Sequence, residues 1–104
     1  MRLTAGRVDA FACPPEKAQA FLWDTESPSL ILRATPSGRK TYAFEDRLNG
    51  DTIRLKIGTA ADWTLDKARK RAAELKQMID SGIDPREVAR QRAAEAATVK
   101  AEQA

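Results

Sequence analysis

The stretch Lys40-Thr41-Tyr42-Ala43-Phe44-Glu45-Asp46-Arg47-Leu48-Asn49-Gly50-Asp51-Thr52-Ile53-Arg54-Leu55-Lys56-Ile57 decides the fold. Two runs of alternating apolar and polar residues flank Leu48-Asn49-Gly50-Asp51. Asn-Gly is the pair that best accommodates positive φ at both central positions of a tight hairpin turn. Side chains two apart in a strand share a face. One face of this hairpin therefore carries Tyr42, Phe44, Ile53, Leu55 and Ile57, and the other carries Thr41, Glu45, Arg47, Thr52, Arg54 and Lys56.

Upstream, Leu30-Ile31-Leu32-Arg33-Ala34-Thr35 is a further β-type run, closed by Pro36-Ser37-Gly38, where glycine supplies the φ of a tight turn. It adds Leu30 and Leu32 to the apolar face and Arg33 to the polar one. Phe21-Leu22-Trp23, ended by Asp24-Thr25-Glu26-Ser27-Pro28, reads as a short N-terminal strand. Residues 1 to 19 hold Gly6, Pro14 and Pro15 with little periodicity, and read as a mostly irregular lead-in strapped across the domain.

Downstream of Gly58 a short loop containing Trp63 precedes Thr64-Leu65-Asp66, an N-cap followed by a carboxylate in the first turn. Leu65, Ala68, Ala72, Leu75 and Ile79 recur at spacings of three and four, which makes one apolar stripe on a helix over 65–80. Gly82 is the expected stop. This helix should cover the apolar face of the sheet, which must be buried against another layer to leave water. Asp84-Pro85-Arg86-Glu87 opens a second helix, with Asp as cap, Pro at the first position and Glu positioned for a capping box. Its continuation favours helix by propensity but has no adequate apolar face. It reads as a linker helix.

The expected fold is thus α+β: a three-stranded antiparallel sheet with a short N-terminal strand, about residues 20–58, packed on one helix, then a linker helix. The expected domain is 1–83, and 84–104 the linker.

Composition narrows the function. The 104 residues are 42% hydrophobic and 32% charged, the balance of a globular domain, and no apolar run is long enough for a bilayer span. No apolar segment follows the first basic residues, so no secretory signal is read, and a cytoplasmic protein without membrane contact is expected. With one cysteine, Cys13, and no histidine, an internal disulfide, the usual zinc sites and histidine-based triads are excluded. We expect no catalytic site, no metal and no cofactor, and Cys13 reads as an inert thiol. The net charge is +3, but it is unevenly spread. Residues 30 to 80 hold eleven Arg or Lys against seven Asp or Glu, whereas the flanks are balanced or slightly acidic. A basic central block is the footprint of a polyanion partner.

Arg33, Arg47, Arg54 and Lys56 converge on the uncovered face of the sheet, with a width that suits the major groove. Thr41 and Thr52 add hydroxyls, and Arg39 and Lys40 put two cations at the sheet edge, where phosphates would run. These eight residues are the candidate DNA contacts. The competing reading is the solvated polar face that any one-sided antiparallel sheet presents. Glu45 and Asp46 oppose a phosphate-facing surface unless Glu45 orients Arg47 or Arg54, or accepts from a cytosine amino group. Lys67, Lys70 and Arg71 form a second basic group on the helix, read as a solvated face.

Phe21-Leu22-Trp23-Asp24, Leu30 through Lys40, Tyr42-Ala43-Phe44, Arg47-Leu48-Asn49-Gly50, Leu55-Lys56-Ile57-Gly58, Leu65-Asp66-Lys67-Ala68-Arg69 and Gly82-Ile83-Asp84-Pro85-Arg86 occur in one unbroken order. Over roughly residues 3 to 90 the sequence resembles the N-terminal arm-type DNA-binding domain of phage-like and genomic-island integrases, which are tyrosine recombinases. The resemblance implies sequence-specific binding of double-stranded arm-type attachment sites by a sheet inserted in the major groove and backed by a helix. It also implies that the catalytic Arg, His-x-x-Arg and Tyr elements lie in a later domain of a longer chain, and that other integrase protomers or accessory DNA-bending proteins are partners. The alternative is a protein–protein or oligomerisation module of a recombinase or other DNA-associated protein. The sequence departs from the family at Pro28-Ser29, where Pro-Gly is usual, and at Glu45-Asp46.

Overall fold

The structure is a computed structural model that describes residues 2–103, with side chains through residue 98. Its centre is the hairpin of β3 (Lys40–Leu48) and β4 (Asp51–Thr59). Asn49 and Gly50 both take positive φ, 52° and 87°, and pair Leu48 with Asp51. This is the geometry of a two-residue turn whose twist matches that of its strands. β2 (Leu30–Ala34) pairs antiparallel with β3, and β1 (Ala20–Trp23) pairs antiparallel with β2 in full register. The sheet is therefore four-stranded, in the order β1-β2-β3-β4. The sequence expectation of three strands and a short extra one is corrected to this extent. The short apolar run Phe21-Leu22-Trp23 is a complete edge strand, because β2 offers it a free ladder.

The loop from Asp24 to Ser29 needs no positive φ. The Asp24 carboxylate accepts from the Glu26 N–H at 3.1 Å, and Leu30 N donates to Ser27 O at 2.8 Å. Side-chain capping thus replaces the glycine turn whose absence the sequence pointed to.

α2 (Leu65–Asp80) lies on one face of the sheet. Thr64 Oγ1 accepts from Lys67 N at its start. At its end, Ile83 N donates to Met78 O (2.8 Å) and Gly82 N to Ile79 O (3.0 Å), with Gly82 at φ 78°. That is a Schellman closure, and glycine fits it because the position is left-handed. Ala68, Ala72, Leu75 and Ile79 pack against Leu30, Leu32, Tyr42, Phe44 and Ile53 to form the core, with Leu55 and Ile57 at its margin. α3 (Pro85–Gln103) follows, capped by Asp84 Oδ1 through Arg86 N at 2.9 Å. Glu87 pairs with Arg90.

The first residues differ most from expectation. The lead-in stays irregular over residues 11–19, but within it Thr4 caps a short helix, α1 (Ala5–Ala10), by accepting from Arg7 N. Leu3 and Val8 enter the core at 0% and 6% exposure. Six residues carry too short a periodicity to announce a helix, and α1 exists because Val8 and Leu3 find the sheet. The segment is also pinned by charge. Asp24, buried at 1% exposure, accepts from Leu3 N (3.1 Å) and from Arg69 Nε (2.8 Å), while Arg69 Nη2 donates to Leu3 O at 2.6 Å. Arg69 thereby ties the chain start, the β1–β2 loop and α2 together.

Candidate nucleic-acid interface

Alternation along the strands, with α2 covering one face, leaves the other face open. In register across it lie Phe21, Arg33, Thr41 and Thr59, then Trp23, Ile31, Ala43 and Lys56. Glu45 opposite Arg54 and Arg47 opposite Thr52 follow toward the hairpin tip. An irregularity at Tyr42/Ala43 shifts the β3–β4 pairing by one residue. The bulge keeps Arg54 and Lys56 on the open face while Gly58 lies opposite Tyr42. Gly58 has its own requirement, because a Cβ there would overlap the indole of Trp63. The ring seats directly on the strand and closes the end of the core.

Of the candidate contacts, Arg33, Arg47, Thr52, Arg54 and Lys56 are brought together on the open face. Arg47, Thr52, Arg54 and Lys56 are exposed and Arg33 is half-buried. Arg39 is exposed in the β2–β3 turn, where Gly38 takes φ 90°. Among the described residues Arg33, Arg39, Arg47 and Lys56 make no ion pair, so these charges remain available to a ligand. Arg54 is held differently. Its Nη2 lies 3.1 Å from Glu45 Oε2 and its guanidinium carbon 6.0 Å from the Phe21 ring centroid. Phe21 is on the first strand and Arg54 on the fourth, so this side chain reaches across the sheet. Of the roles open to Glu45, the geometry realises the orientation of Arg54.

Two candidates are displaced. Lys40 has the parity of Tyr42 and Phe44, the covered side, and its Nζ donates to the carbonyls of Val8 (2.7 Å) and Asp9 (2.6 Å) at the end of α1. A cation satisfies the unpaired carbonyls of a helix C-terminus. The sequence could not show this because the lead-in carried no helix signal. Thr41 lies on the open face but is only 3% exposed. Asp46 is likewise removed from the open face. It points toward α2, where it meets Lys76 Nζ at 3.0 Å and Ser29 Oγ at 2.8 Å. Burial alone would raise its carboxyl, but the Arg47 N–H, Lys76 and Ser29 outweigh it and hold the group below the usual range. The expectation that Asp46 opposes a phosphate-facing surface together with Glu45 is corrected, because strand alternation puts the two carboxylates on opposite faces.

Tyr42 is buried in the core, as alternation requires, and burial, reinforced by the charge of Asp9, pushes its hydroxyl above the ordinary value. Lys67 and Lys70 are exposed on α2, and Arg71 pairs with Glu74 at 3.0 Å. They belong to the helix layer, away from the open face. The aromatic residues of β1 are what sequence reasoning passed over: Phe21 and Trp23 sit on the open face, visible in principle from their parity with Arg33 and Ile31 once β1 is a full strand.

No helix among the described residues is long and apolar enough to cross a membrane. The pattern that defines an arm DNA-binding domain matches residues 3–93. Prophage integrase IntF of Escherichia coli (strain K12) is 42% identical over 101 residues, which cover 97% of this chain and 22% of that protein. Prophage integrase IntZ of the same organism is 39% identical over 88 residues, covering 85% of this chain and 21% of its own length. The chain spans about a fifth of the length of these curated relatives. With a cationic sheet face backed by a helix, and with this match over almost all of its length, the chain belongs to the arm DNA-binding domain family of integrases.

Proposed function

We propose that this domain binds arm-type attachment sites in double-stranded DNA as the N-terminal part of a site-specific recombinase. In this reading the open face of the sheet enters the major groove. The carrying observation is the clustering of Arg33, Arg47, Arg54 and Lys56 on the face that α2 leaves bare, with three of the four outside any ion pair among the described residues. Arg39 adds a charge at the turn. Arg33 and Arg54 suit paired hydrogen bonds to guanine, while Arg39, Arg47 and Lys56 neutralise flanking phosphates and Thr52 adds a hydroxyl donor. Thr41 supports the face from beneath, and Lys40 contributes through α1.

Residues 1 to 83 form the binding unit, and α3 leads toward the remainder of a recombinase whose catalytic Arg, His-x-x-Arg and Tyr elements lie elsewhere. Other protomers and DNA-bending proteins are partners of the full assembly, which acts on DNA in the cytoplasm without membrane or cofactor in this domain.

The test is titration of attachment-site arm duplex and scrambled duplex across a salt series. Neutralising about three phosphates gives a log–log salt slope of about −3, with clear preference for the arm sequence. A flat salt response, or equal affinity for scrambled DNA, refutes the proposal.

A further inference from the structure

The open face is not wholly polar. Phe21 and Trp23 are 42% and 47% exposed, and both project from β1 on the side of the cations, since Phe21 is registered against Arg33 and Trp23 against Ile31. Ile31 faces Ala43 and Ala43 faces Lys56. One row therefore crosses all four strands, apolar on three and cationic on the fourth. Ile31 itself is buried at 1% exposure, so the patch is closed beneath and only the rings, with half-buried Ala43 beside them, offer surface. The core lies on the other face and does not use these rings. Large exposed apolar groups side by side mark a contact surface. Bordered by Arg33, Arg54 and Lys56, this one fits a partner that is polyanionic outside and carries small apolar groups at a fixed depth. In the major groove of duplex DNA, those groups are the C5 methyls of thymine.

We infer that Phe21 and Trp23, with Ala43, read thymine methyl groups, so that the arm site carries thymine at the positions that meet β1. The inference rests on the open face being the DNA interface. Arg54 makes the reading geometrically specific: held by Glu45 and set 6.0 Å from the Phe21 centroid, its guanidinium and the ring form one unit. That unit presents an apolar surface beside a hydrogen-bond donor, which matches a thymine neighbouring a guanine.

The experiment selects a preferred duplex from randomised DNA with this chain and then replaces each thymine singly by deoxyuridine, which lacks only the methyl. The expected result is about fourfold weaker binding at one or two positions, the ratio for losing one buried methyl-sized group, with the other positions unchanged. Trp23→Ala, at an exposed position and checked for folding by circular dichroism, should erase the thymine–uridine difference at one position while leaving the salt slope intact. If uridine is tolerated everywhere while the selected duplex is still preferred and Arg54→Ala still weakens binding, the methyl inference fails and the DNA interface stands. If Trp23→Ala weakens thymine and uridine duplexes equally, the ring meets the backbone and the inference is likewise overturned. If no duplex is preferred, both readings fall.

Discussion

Replacing Asp24 by Asn should unfold this domain far more readily than any other single charge removal. The Asp24 carboxylate accepts from Leu3 N and Glu26 N, both at 3.1 Å, and from Arg69 Nε and Nη2, at 2.8 and 3.3 Å. Its side chain has no exposure and that of Arg69 only 15%. Breaking a buried pair by removing one partner costs about 3–5 kcal/mol, because the other charge stays buried without compensation. Arg69 retains Leu3 O at 2.6 Å and Glu26 Oε2 at 3.3 Å, so the lower end, about 3 kcal/mol, applies. For a domain whose total is roughly 5–15 kcal/mol, that is a large fraction. At about 4–8 °C per kcal/mol it lowers Tm by roughly 12–24 °C.

Urea and thermal unfolding followed by circular dichroism supply the measurement, with Arg71→Ala as the control. The exposed Arg71–Glu74 pair is worth well under about 1 kcal/mol. The acid limb gives an independent reading. Burial raises the Asp24 carboxyl, but the hydrogen bonds from Arg69, Leu3 and Glu26 and the charge of Arg69 outweigh it, so its folded value lies below the ordinary one. A group lowered in the folded state stabilises above its unfolded value. The wild type therefore loses this contribution as pH falls below about 4, whereas Asp24→Asn shows a flatter acid limb. A loss under about 1 kcal/mol at neutral pH, or an unchanged acid limb, would refute the pinning role of Asp24.

Arg54→Ala should weaken arm-site binding by about 1–3 kcal/mol and relax preference at one base pair, read by competition with single-base variants, while Lys70→Ala leaves both unchanged. The opposite ranking would put the recognition surface on α2. Lys40→Met should cost about 1 kcal/mol of stability by freeing the carbonyls of Val8 and Asp9, measured by urea unfolding, with no change in the salt slope of DNA binding. A reduced slope would restore Lys40 as a phosphate contact. Gly58→Ala should destabilise by about 1–3 kcal/mol through overlap with Trp63. Trp63→Leu in the same chain should recover part of the loss, and a fully stable Gly58→Ala single variant would count against direct seating of the indole on β4.

The hairpin, α2 with both of its caps, and the helix after Pro85 were legible because each is announced within a few residues. Asn49-Gly50 presets the turn, Thr64 and Gly82 bracket the stripe, and Asp84-Pro85 starts the next helix. The candidate face was legible to the same extent. Arg33, Arg47, Arg54 and Lys56 follow from period-two alternation, whereas Asp46, grouped with Glu45 in the sequence, lies on the other face, where it pairs with Lys76 and Ser29. What was not legible depends on contacts distant in sequence. α1 is six residues long and gains its stability from Leu3 and Val8 meeting the sheet and from Lys40 reaching back to its last carbonyls, 31 and 32 residues away.

Local order in the chain, by itself, determined that there is a sheet, which residues share its faces and which helix covers it, because alternation and helical period are properties of neighbouring residues. Only the tertiary structure decided that β1 completes a four-stranded sheet and that Lys40 is spent on α1. It alone revealed that Asp24 and Arg69 are structural, and that Phe21 brings its ring to Arg54 across the open face. Those outcomes turn on which charged and aromatic groups meet after the sheet has assembled, and the free energy of such a meeting lies in burial and in distances that no local pattern encodes.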